Sequence, residues 1–323
     1  MPETTLSRTL RSASELAEAG LVAPAEVAAL EAVASRYAIA VTPAVAALIE
    51  TKDDPIGLQY VPDAAELVTL SDELDDPTAD APFTPVKGIV RRYPDRALLK
   101  PLLACPVYCR FCFRREVVGP DGGLLTEAEL REAIAWLAAT PEVREVILTG
   151  GDPLMLSPRR LAWLVGELSR IPHVEIIRVH TRVPVADPER VTEALAAALE
   201  TDRALYLCVH ANHAREFSDK AAGALRRLAG KAALLGQSVL LRGVNDSAAA
   251  LEDLFRAMLR HRVKPYYLHQ LDKAPGTARF RVEPAEGLRL VAALRGRLSG
   301  LGQPSYVVET AGGGGKVPVA WVA

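Results

Sequence analysis

Residues 144–152 read REVILTGGD, an apolar run of strand length that ends in two glycines and an acid. Similar runs, rich in Val, Ile, Leu or Tyr, recur along the chain. Short apolar runs bounded by glycine or polar residues are typical of buried strands. The sequence predicts seven such strands, at 97–104, 144–150, 174–180, 204–210, 238–244, 264–271 and 305–310.

Stretches with helical character separate the predicted strands. The first of these helices opens with TEAE from Thr126, the spacing of a capping box, and others are predicted to begin at Asp187, Ser218 and Glu283. Strands that alternate with helices favour a parallel sheet of βα units. We therefore expect an α/β fold, a partial (β/α) barrel of six to seven parallel strands over residues 89–323.

The first 88 residues have a different texture. Residues 13–50 are rich in Ala and Leu and are predicted to be helical, with Thr42-Pro43 as a cap and first helical position. Residues 53–86 are rich in Pro and Asp and only weakly periodic. We expect residues 1–88 to form an N-terminal helical extension followed by a wrapping linker.

Polar residues collect where the predicted strands end. In (β/α) barrels the chemistry lies at the carboxyl ends of the strands, so these residues are the first candidates for a site. They include Gly150-Gly151-Asp152, His180, Arg182, His210, Asn212, Arg242, Asn245, Asp272 and Glu309.

Charge and hydropathy argue against several classes of protein. The chain has 323 residues and a formal net charge of −2, which argues against a general nucleic-acid binder. No stretch of about 18 apolar residues occurs, and the N-terminus lacks the apolar run of a signal peptide. We expect no membrane span and a cytoplasmic location, where the four cysteines would stay reduced rather than form a disulfide framework.

Three of the four cysteines, Cys105, Cys109 and Cys112, lie in ACPVYCRFCFRRE (residues 104–116, the cysteine loop). Thiolates spaced in this way hold iron–sulfur clusters or zinc. Three would leave one iron of a four-iron cluster open, whereas structural zinc normally needs four protein ligands, and no second Cys or His pair has the usual spacing. From spacing alone, redox-sensing or fortuitous thiols remain an alternative. Cys208, inside a predicted strand, is expected to be a core residue.

Two further stretches contain candidate cofactor ligands. AGGGGKVP places Lys316 after four glycines, either as part of a flexible tail or as a lysine that forms a Schiff base with an aldehyde cofactor. RRYPDR places Arg92, Tyr93 and Arg96 on one short turn. This turn is either a solvated basic segment or a phosphate site, since two guanidiniums and a phenol suit a phosphate.

The cysteine spacing, with Tyr108 before the second cysteine and Phe111 before the third, resembles the radical S-adenosylmethionine superfamily. In that superfamily the open iron binds S-adenosylmethionine, which is cleaved to a 5′-deoxyadenosyl radical. Taken in order, RYPDRALL, CPVYCRFCFRR, TGGDPLM, QSVLLRGVND, YYLHQLD and GGGGKVP resemble the lysine 2,3-aminomutase family over roughly residues 88–320.

The resemblance implies a role for each matching residue. The cluster ligands are Cys105, Cys109 and Cys112. The residues that line S-adenosylmethionine are Gly150, Gly151, Asp152, His210 and Gln237. The pyridoxal phosphate residues are the Schiff-base Lys316 and the phosphate grip of Arg92, Tyr93 and Arg96. The substrate residues are Arg114, for the carboxylate, and Asp272 and Glu309, for the distal ammonium.

The resemblance also implies the reaction, an isomerisation of L-lysine to β-lysine by 1,2-amino migration. Its cofactors would be a [4Fe–4S] cluster, S-adenosylmethionine and pyridoxal 5′-phosphate, with an electron donor such as flavodoxin or ferredoxin. Alternatives are the same chemistry dedicated to elongation factor P β-lysylation, or a related 2,3-aminomutase with another amino acid. A third alternative is an iron–sulfur electron carrier that does not bind pyridoxal phosphate.

The match departs from the free-lysine enzyme at three points. Glu309 stands in place of an Asp, which keeps the anion but moves it one methylene outward, as in the elongation factor P relative. The sequence ends seven residues after Lys316, and Ser247 occupies the position of a zinc cysteine. We therefore expect no zinc site and leave the oligomeric state open, with a homo-oligomer as one outcome.

Overall fold

The computed structural model describes residues 6–119, 122–310 and 315–322. Its main element is a nine-stranded sheet in which the strands follow one another in chain order. The strands are β1 Ile89–Val90, β2 Arg96–Leu102, β3 Glu145–Gly150, β4 Ile176–Thr181, β5 Ala204–His210, β6 Ala233–Val239, β7 Val263–His269, β8 Ser305–Thr310 and β9 Gly315–Pro318.

The seven strands from β2 to β8 pair in parallel, each with the next one along the chain. β1 adds to β2 and β9 adds to β8 in antiparallel fashion, and they form the two edges of the described sheet. Consecutive parallel strands joined by crossover helices are the topology of a (β/α) barrel. Since the two edges do not pair in the described part of the chain, the predicted partial barrel of six to seven parallel strands is confirmed.

Eleven α-helices are assigned within the described ranges. They are α1 Ala13–Glu18, α2 Val27–Ala34, α3 Pro43–Ala46, α4 Gly57–Tyr60, α5 Glu127–Ala138, α6 Pro158–Ser169, α7 Val183–Ala186, α8 Glu193–Ala197, α9 Asp219–Ala229, α10 Ala248–Arg260 and α11 Pro284–Leu294. The predicted caps at Thr126 and Ser218 are confirmed, because both side chains accept a hydrogen bond from the first turn of their helix. In the part of the chain that is described, none of the helices combines the length and apolarity needed to cross a membrane.

One predicted strand was wrong in position. The run at 238–244 does not form the fifth parallel strand, which is β6 at Ala233–Val239. Gly236 lies in the middle of β6 against α10, where an added Cβ would come within 2.5 Å of Met258 Sδ. Packing against Met258 therefore requires glycine at this position. Gly236 lies inside the strand and does not end the segment before it.

The helix that was predicted to begin at Asp187 begins later in the structure. Asp187 precedes only a 3₁₀ turn, Pro188–Arg190, and α8 begins at Glu193. The side chain of Thr192 accepts a hydrogen bond from the Leu195 N–H, and this cap determines where the helix starts.

The N-terminal segment packs against the cysteine loop and the end of α7. Leu16 and Val41 share one buried cluster with Val107 and Ala186, and the Thr42 hydroxyl donates to the Ala186 carbonyl. Of the four short helices of this segment, α1 to α3 lie within residues 13–50, and α4 lies in the stretch predicted to be a linker. The boundary at residue 88 remains a prediction, since buried contacts run across it.

Candidate active site

The parallel strands and the segments that flank them surround a cavity of about 570 Å³. Every residue that the sequence analysis assigned to a cofactor or to the substrate lines this cavity. They are Arg92, Tyr93, Arg96, Cys105, Cys109, Cys112, Arg114, Gly150, Gly151, Asp152, His210, Gln237, Asp272, Glu309 and Lys316.

The cysteine loop presents three thiols to the cavity. Burial, with a smaller contribution from neighbouring thiols, raises the pKa of Cys105 well above its usual value and that of Cys112 to about 11. No three Cys, His, Asp or Glu side chains in the described ranges converge on a single metal ion. A four-iron cluster binds each thiolate through a different iron, so it requires thiols that line one cavity, as these do. Cys208 lines the same cavity from β5 but is almost fully buried.

Buried ion pairs fix the cysteine loop in place. Glu66, fully buried in the segment predicted to be a linker, accepts hydrogen bonds from Arg110 at 2.9 Å and 3.0 Å and also from Arg115. Arg110 also donates to the Ala38 carbonyl at 2.7 Å, and Arg279 lies 3.4 Å from Glu66. The linker thus holds Arg110 and Arg115, which lie on opposite sides of Cys112 in the sequence.

Arg182, at the end of β4, brings a buried cation to the cluster side of the cavity. Its Nη1 donates to Cys109 Sγ at 3.3 Å. Its Nη2 donates to Gln59 at 2.6 Å and to Glu216 at 2.8 Å. Burial raises the pKa of Cys109, and the Arg182 charge opposes this rise. Arg182 therefore favours the thiolate that a cluster needs.

Contacts within the protein fix the conformation of the Gly150-Gly151-Asp152 segment. An added Cβ on Gly151 would lie 2.3 Å from the Ala104 carbonyl oxygen, so glycine lets this turn approach the cysteine loop. The Asp152 carboxylate accepts hydrogen bonds from Thr181 and from the N–H groups of Leu154, Arg182 and Val183. Its oxygens are occupied by these donors, and they tie the ends of β3 and β4 together.

His210 and Gln237 lie side by side where β5 and β6 end. They are paired in the parallel ladder, and His210 Nε2 lies 3.3 Å from Asn212 Oδ1. Burial lowers the pKa of His210 well below its usual value, so the ring is neutral. Its edge contacts Phe111 of the cysteine loop, with centroids 5.6 Å apart. Two polar side chains, one of them a neutral histidine, thus lie next to each other in the cavity wall.

A row of alternating charges joins Lys316 to Arg114. Lys316 Nζ lies 2.8 Å from Glu309, whose other oxygen accepts from Arg92. Arg92 Nη2 lies 3.2 Å from Asp80 Oδ1, and Asp80 Oδ2 lies 3.2 Å from Arg114 Nη2. The structure therefore brings the predicted lysine, one predicted phosphate arginine and the predicted carboxylate arginine into one ion-pair network.

Tyr93 and Arg96 lie beside Lys316. The Lys316 backbone N–H donates to the Tyr93 hydroxyl at 2.6 Å, and the Arg96 guanidinium lies 3.6 Å from the centre of the Tyr93 ring. Arg96 also pairs with Asp95 at 2.8 Å. Of the four glycines before Lys316, the first three (312–314) lie outside the described residues, whereas Gly315 is the first residue of β9.

Asp272 differs from Glu309 because no cation in the described ranges forms an ion pair with it. Burial and, to a smaller extent, the nearby Glu309 charge raise its pKa to about 7, against the opposing charges of Lys316, Arg114 and Arg92. The two acids predicted to be neighbours do share the cavity. Only one of them is neutralised by the protein.

Two residues of this site, Asp80 and Glu66, were missed by sequence reasoning, and a third, Arg182, was a candidate without an assigned role. Asp80 pairs with Arg92, Lys100 and Arg114 from within the Pro- and Asp-rich linker. Arg182 had a visible signal, since it was among the polar residues that follow a predicted strand. The sequence contains no signal for Glu66 or Asp80, because the arginines and lysine that pair with them are distant in the chain.

The model of the radical SAM superfamily matches residues 99–254, the stretch from β2 into α10 that carries the cysteine loop. Together with the parallel partial barrel and the three-thiol cavity, this match defines the class. The protein is a radical SAM enzyme, which uses a [4Fe–4S] cluster and S-adenosylmethionine.

More specific relatives place the chain within this class. The L-lysine 2,3-aminomutase of Clostridium subterminale is 39% identical over 284 residues, which cover 87% of this chain and 68% of that protein. The glutamate 2,3-aminomutase of Clostridioides difficile is 35% identical over 293 residues, 90% of this chain and 69% of that protein. A radical SAM methyltransferase structure from Sphaerobacter thermophilus matches with a TM-score of 0.49 and 20% identity, over 70% of this chain and 69% of that one. The chain belongs to the lysine 2,3-aminomutase family and is an isomerase.

Proposed function

We propose that this enzyme is a pyridoxal phosphate-dependent L-lysine 2,3-aminomutase that converts L-lysine to β-lysine. Asp272 carries the proposal. It is a carboxylate without an ion-pair partner in the described ranges, and it shares one cavity with Arg114 and Lys316. A cavity with a cation for one end of an amino acid and an unpaired anion for the other suits a diamino acid.

The residues present fit the three cofactors. Cys105, Cys109 and Cys112 would hold the cluster, and His210 and Gln237 border the adjoining space for S-adenosylmethionine. Lys316, Tyr93 and Arg96 would hold pyridoxal phosphate. When bound, the first two cofactors supply the radical initiator and the third holds the migrating nitrogen. Arg92 is already engaged by Glu309 and Asp80, which leaves Arg96 as the freer cation for a phosphate.

Arg114 would orient the substrate carboxylate. Asp80 Oδ2 accepts from its Nε at 3.4 Å and from its Nη2 at 3.2 Å. These contacts fix the plane of the guanidinium and leave Nη1 for a ligand. A preset planar donor is worth more to a carboxylate than a mobile one, since less rotamer entropy is lost on binding.

Asp272 would select the side chain of the substrate. The ε-ammonium of lysine would neutralise it, whereas the γ-carboxylate of glutamate would add an anion beside Asp272 and Glu309 in a cavity poor in water. Because a related family member is named a glutamate 2,3-aminomutase, glutamate is the competing substrate that matters.

Asp272→Asn tests the proposal under anaerobic, reducing conditions with all three cofactors. Losing a hydrogen bond between charged groups should raise the KM for L-lysine about tenfold to a hundredfold, with pyridoxal phosphate affinity retained. In the wild type, kcat/KM for lysine should fall as the pH drops through about 7, because Asp272 then becomes neutral. The variant should lose this dependence.

Asp187→Asn is the matched control. Burial also raises the pKa of Asp187, but the residue does not line the cavity. Its substitution should leave the KM for lysine unchanged. Faster turnover of glutamate than of lysine by the wild type would refute the proposed substrate, as would an unchanged lysine KM in Asp272→Asn.

A further inference from the structure

Arg182 donates a hydrogen bond to the sulfur of one of the three predicted cluster ligands. Its Nη1 lies 3.3 Å from Cys109 Sγ. Within the described residues, Cys109 is the one predicted cluster cysteine whose sulfur accepts a hydrogen bond from a charged side chain. The three thiols therefore differ in the charge that the protein places against them.

Four further contacts hold the Arg182 guanidinium in this position. Its Nη2 donates to Gln59 Oε1 at 2.6 Å and to Glu216 Oε2 at 2.8 Å. Its central carbon lies 4.9 Å from the centre of the Tyr60 ring and 5.3 Å from that of the Phe111 ring. These partners come from the linker, from the turn after β5 and from the cysteine loop. The fold itself therefore directs Nη1 toward the sulfur.

Glu216 is the counter-charge of Arg182 and is buried with it. The two side chains are only 2% and 6% exposed. The other Glu216 oxygen accepts from the N–H groups of Asn212 at 2.7 Å and His213 at 2.9 Å. Because the carboxylate binds Nη2 while the sulfur binds Nη1, the cation is the nearer charge to Cys109. In a buried site the nearer of two opposite charges has the larger effect.

We propose that Arg182 is a positioning residue that raises the reduction potential of the cluster through Cys109, and that Glu216 limits this effect by partly neutralising the arginine. The inference rests on the radical SAM class and on the ligand role of Cys109. It does not depend on which amino acid is the substrate.

The physical reason is the charge that reduction adds. A cluster that accepts one electron becomes more negative, and part of that charge lies on the cysteine sulfurs. A hydrogen bond to a sulfur and a buried cation beside it both stabilise the reduced form. The electron comes from an external low-potential reductant, and no bond of the protein forms or breaks. Arg182 therefore makes the cluster easier for such a reductant to reduce.

The same strand offers a matched control. Arg178 lies on β4 four residues before Arg182, lines the same cavity and pairs with Glu145 at 2.8 Å. These side chains are also mostly buried, at 11% and 18% exposed. Four residues of a strand span roughly 13 Å, and the effect of a charge falls with distance. The Arg178 charge should therefore affect the cluster far less.

The test is an anaerobic redox titration of the full chain after cluster reconstitution, followed by EPR spectroscopy. Neither S-adenosylmethionine nor an amino acid is added. The variants are Arg182→Gln, Arg182→Lys and Glu216→Gln, with Arg178→Gln as the control. Iron and sulfide analysis comes first, so that the midpoint potentials are compared only between samples with a full cluster.

Arg182→Gln should shift the midpoint potential to a more negative value, because the reduced cluster loses its nearest cation. Arg182→Lys should shift it less in the same direction, since the charge remains but the fork geometry is lost. Glu216→Gln should shift it in the opposite direction, because Arg182 then lacks its counter-charge. Arg178→Gln should give the smallest shift.

Opposite shifts from the two members of one ion pair would show an electrostatic role, since structural damage would not reverse its sign between them. An unchanged midpoint in Arg182→Gln, or shifts of the same sign in Arg182→Gln and Glu216→Gln, would overturn the inference. If Arg182→Gln does not retain the cluster, Glu216→Gln decides: a positive shift supports the inference, and an unchanged or more negative midpoint overturns it. A wild type that does not act on lysine would refute the proposed function and leave this result unaffected.

Discussion

The cluster end and the lysine end of the cavity are held in different ways. The cluster end, meaning the cysteine loop with Glu66 and Arg182, is fixed by ion pairs whose side chains are almost fully buried. The lysine end, meaning the β8–β9 hairpin with Tyr93, is held by the strand ladder and by the Arg92–Glu309 pair, but the Lys316 side chain itself is 33% exposed. This contrast indicates that the protein fixes the cysteine loop before a cluster binds, whereas Lys316 can leave its ion pair.

The energetic consequence follows from burial. Removing one partner of a buried ion pair strands a charge and typically costs about 3–5 kcal/mol, whereas an exposed pair contributes about 0.2–1 kcal/mol. Substitutions at the cluster end should therefore affect folding and cluster content. Those at the lysine end should affect binding first.

The largest effect is expected from the cysteines. Cys105→Ala, Cys109→Ala and Cys112→Ala should each prevent a stable cluster, because a three-thiol site has no spare ligand. Cys208→Ala should keep it, although Cys208 lines the same cavity. Iron and sulfide analysis after anaerobic reconstitution is the measurement, and full cluster content in any of the first three variants would refute the ligand assignment.

Glu66→Gln should cost about 3–5 kcal/mol in the free energy of unfolding, because it leaves Arg110 and Arg115 without their buried counter-charge. Urea unfolding of the full chain measures this loss. Glu175→Gln, which breaks the exposed pair with Arg144, should change the same quantity by about 1 kcal/mol or less. Equal losses in the two variants would contradict the claim that buried ion pairs fix the cluster end.

Tyr93→Phe should have the smallest effect. It removes the hydroxyl that accepts from the Lys316 N–H, a hydrogen bond worth about 0.5–1.5 kcal/mol. We expect weaker pyridoxal phosphate binding, seen in a spectrophotometric titration, with iron and sulfide content unchanged. A loss of cluster in this variant would show that the lysine end is not separable from the cluster end.

Much of the fold could be predicted because its parallel strands are short apolar runs with polar ends. β8 has the predicted bounds, while β6 was misplaced by five residues. The apolar stretch around β6 has no periodicity that would show where the strand begins. Its position depends on the packing of Gly236 against Met258. A single sequence does not show which helix will lie over a strand.

The site residues could be chosen from motifs, but their partners could not. Arg92 and Glu309 are 217 residues apart in the chain, and Tyr93 and Lys316 are 223 apart. Nothing in the linker pattern distinguishes Asp80 from its acidic neighbours, yet it pairs with three cations. These partners meet only in the folded structure. A sequence motif therefore indicates which side chain binds a cofactor or substrate, but not which charged residue pairs with it.

The central claim is that both ends of the cavity act on one amino acid whose nitrogen migrates within the molecule. The direct measurement uses L-lysine labelled with ¹⁵N at the α-nitrogen and ¹³C at the β-carbon, with the three cofactors and a reductant under anaerobic conditions. The account predicts β-lysine whose ¹³C signal shows a one-bond coupling to ¹⁵N. Recovery of ¹⁵N only at its original position, or as ammonia, would contradict it.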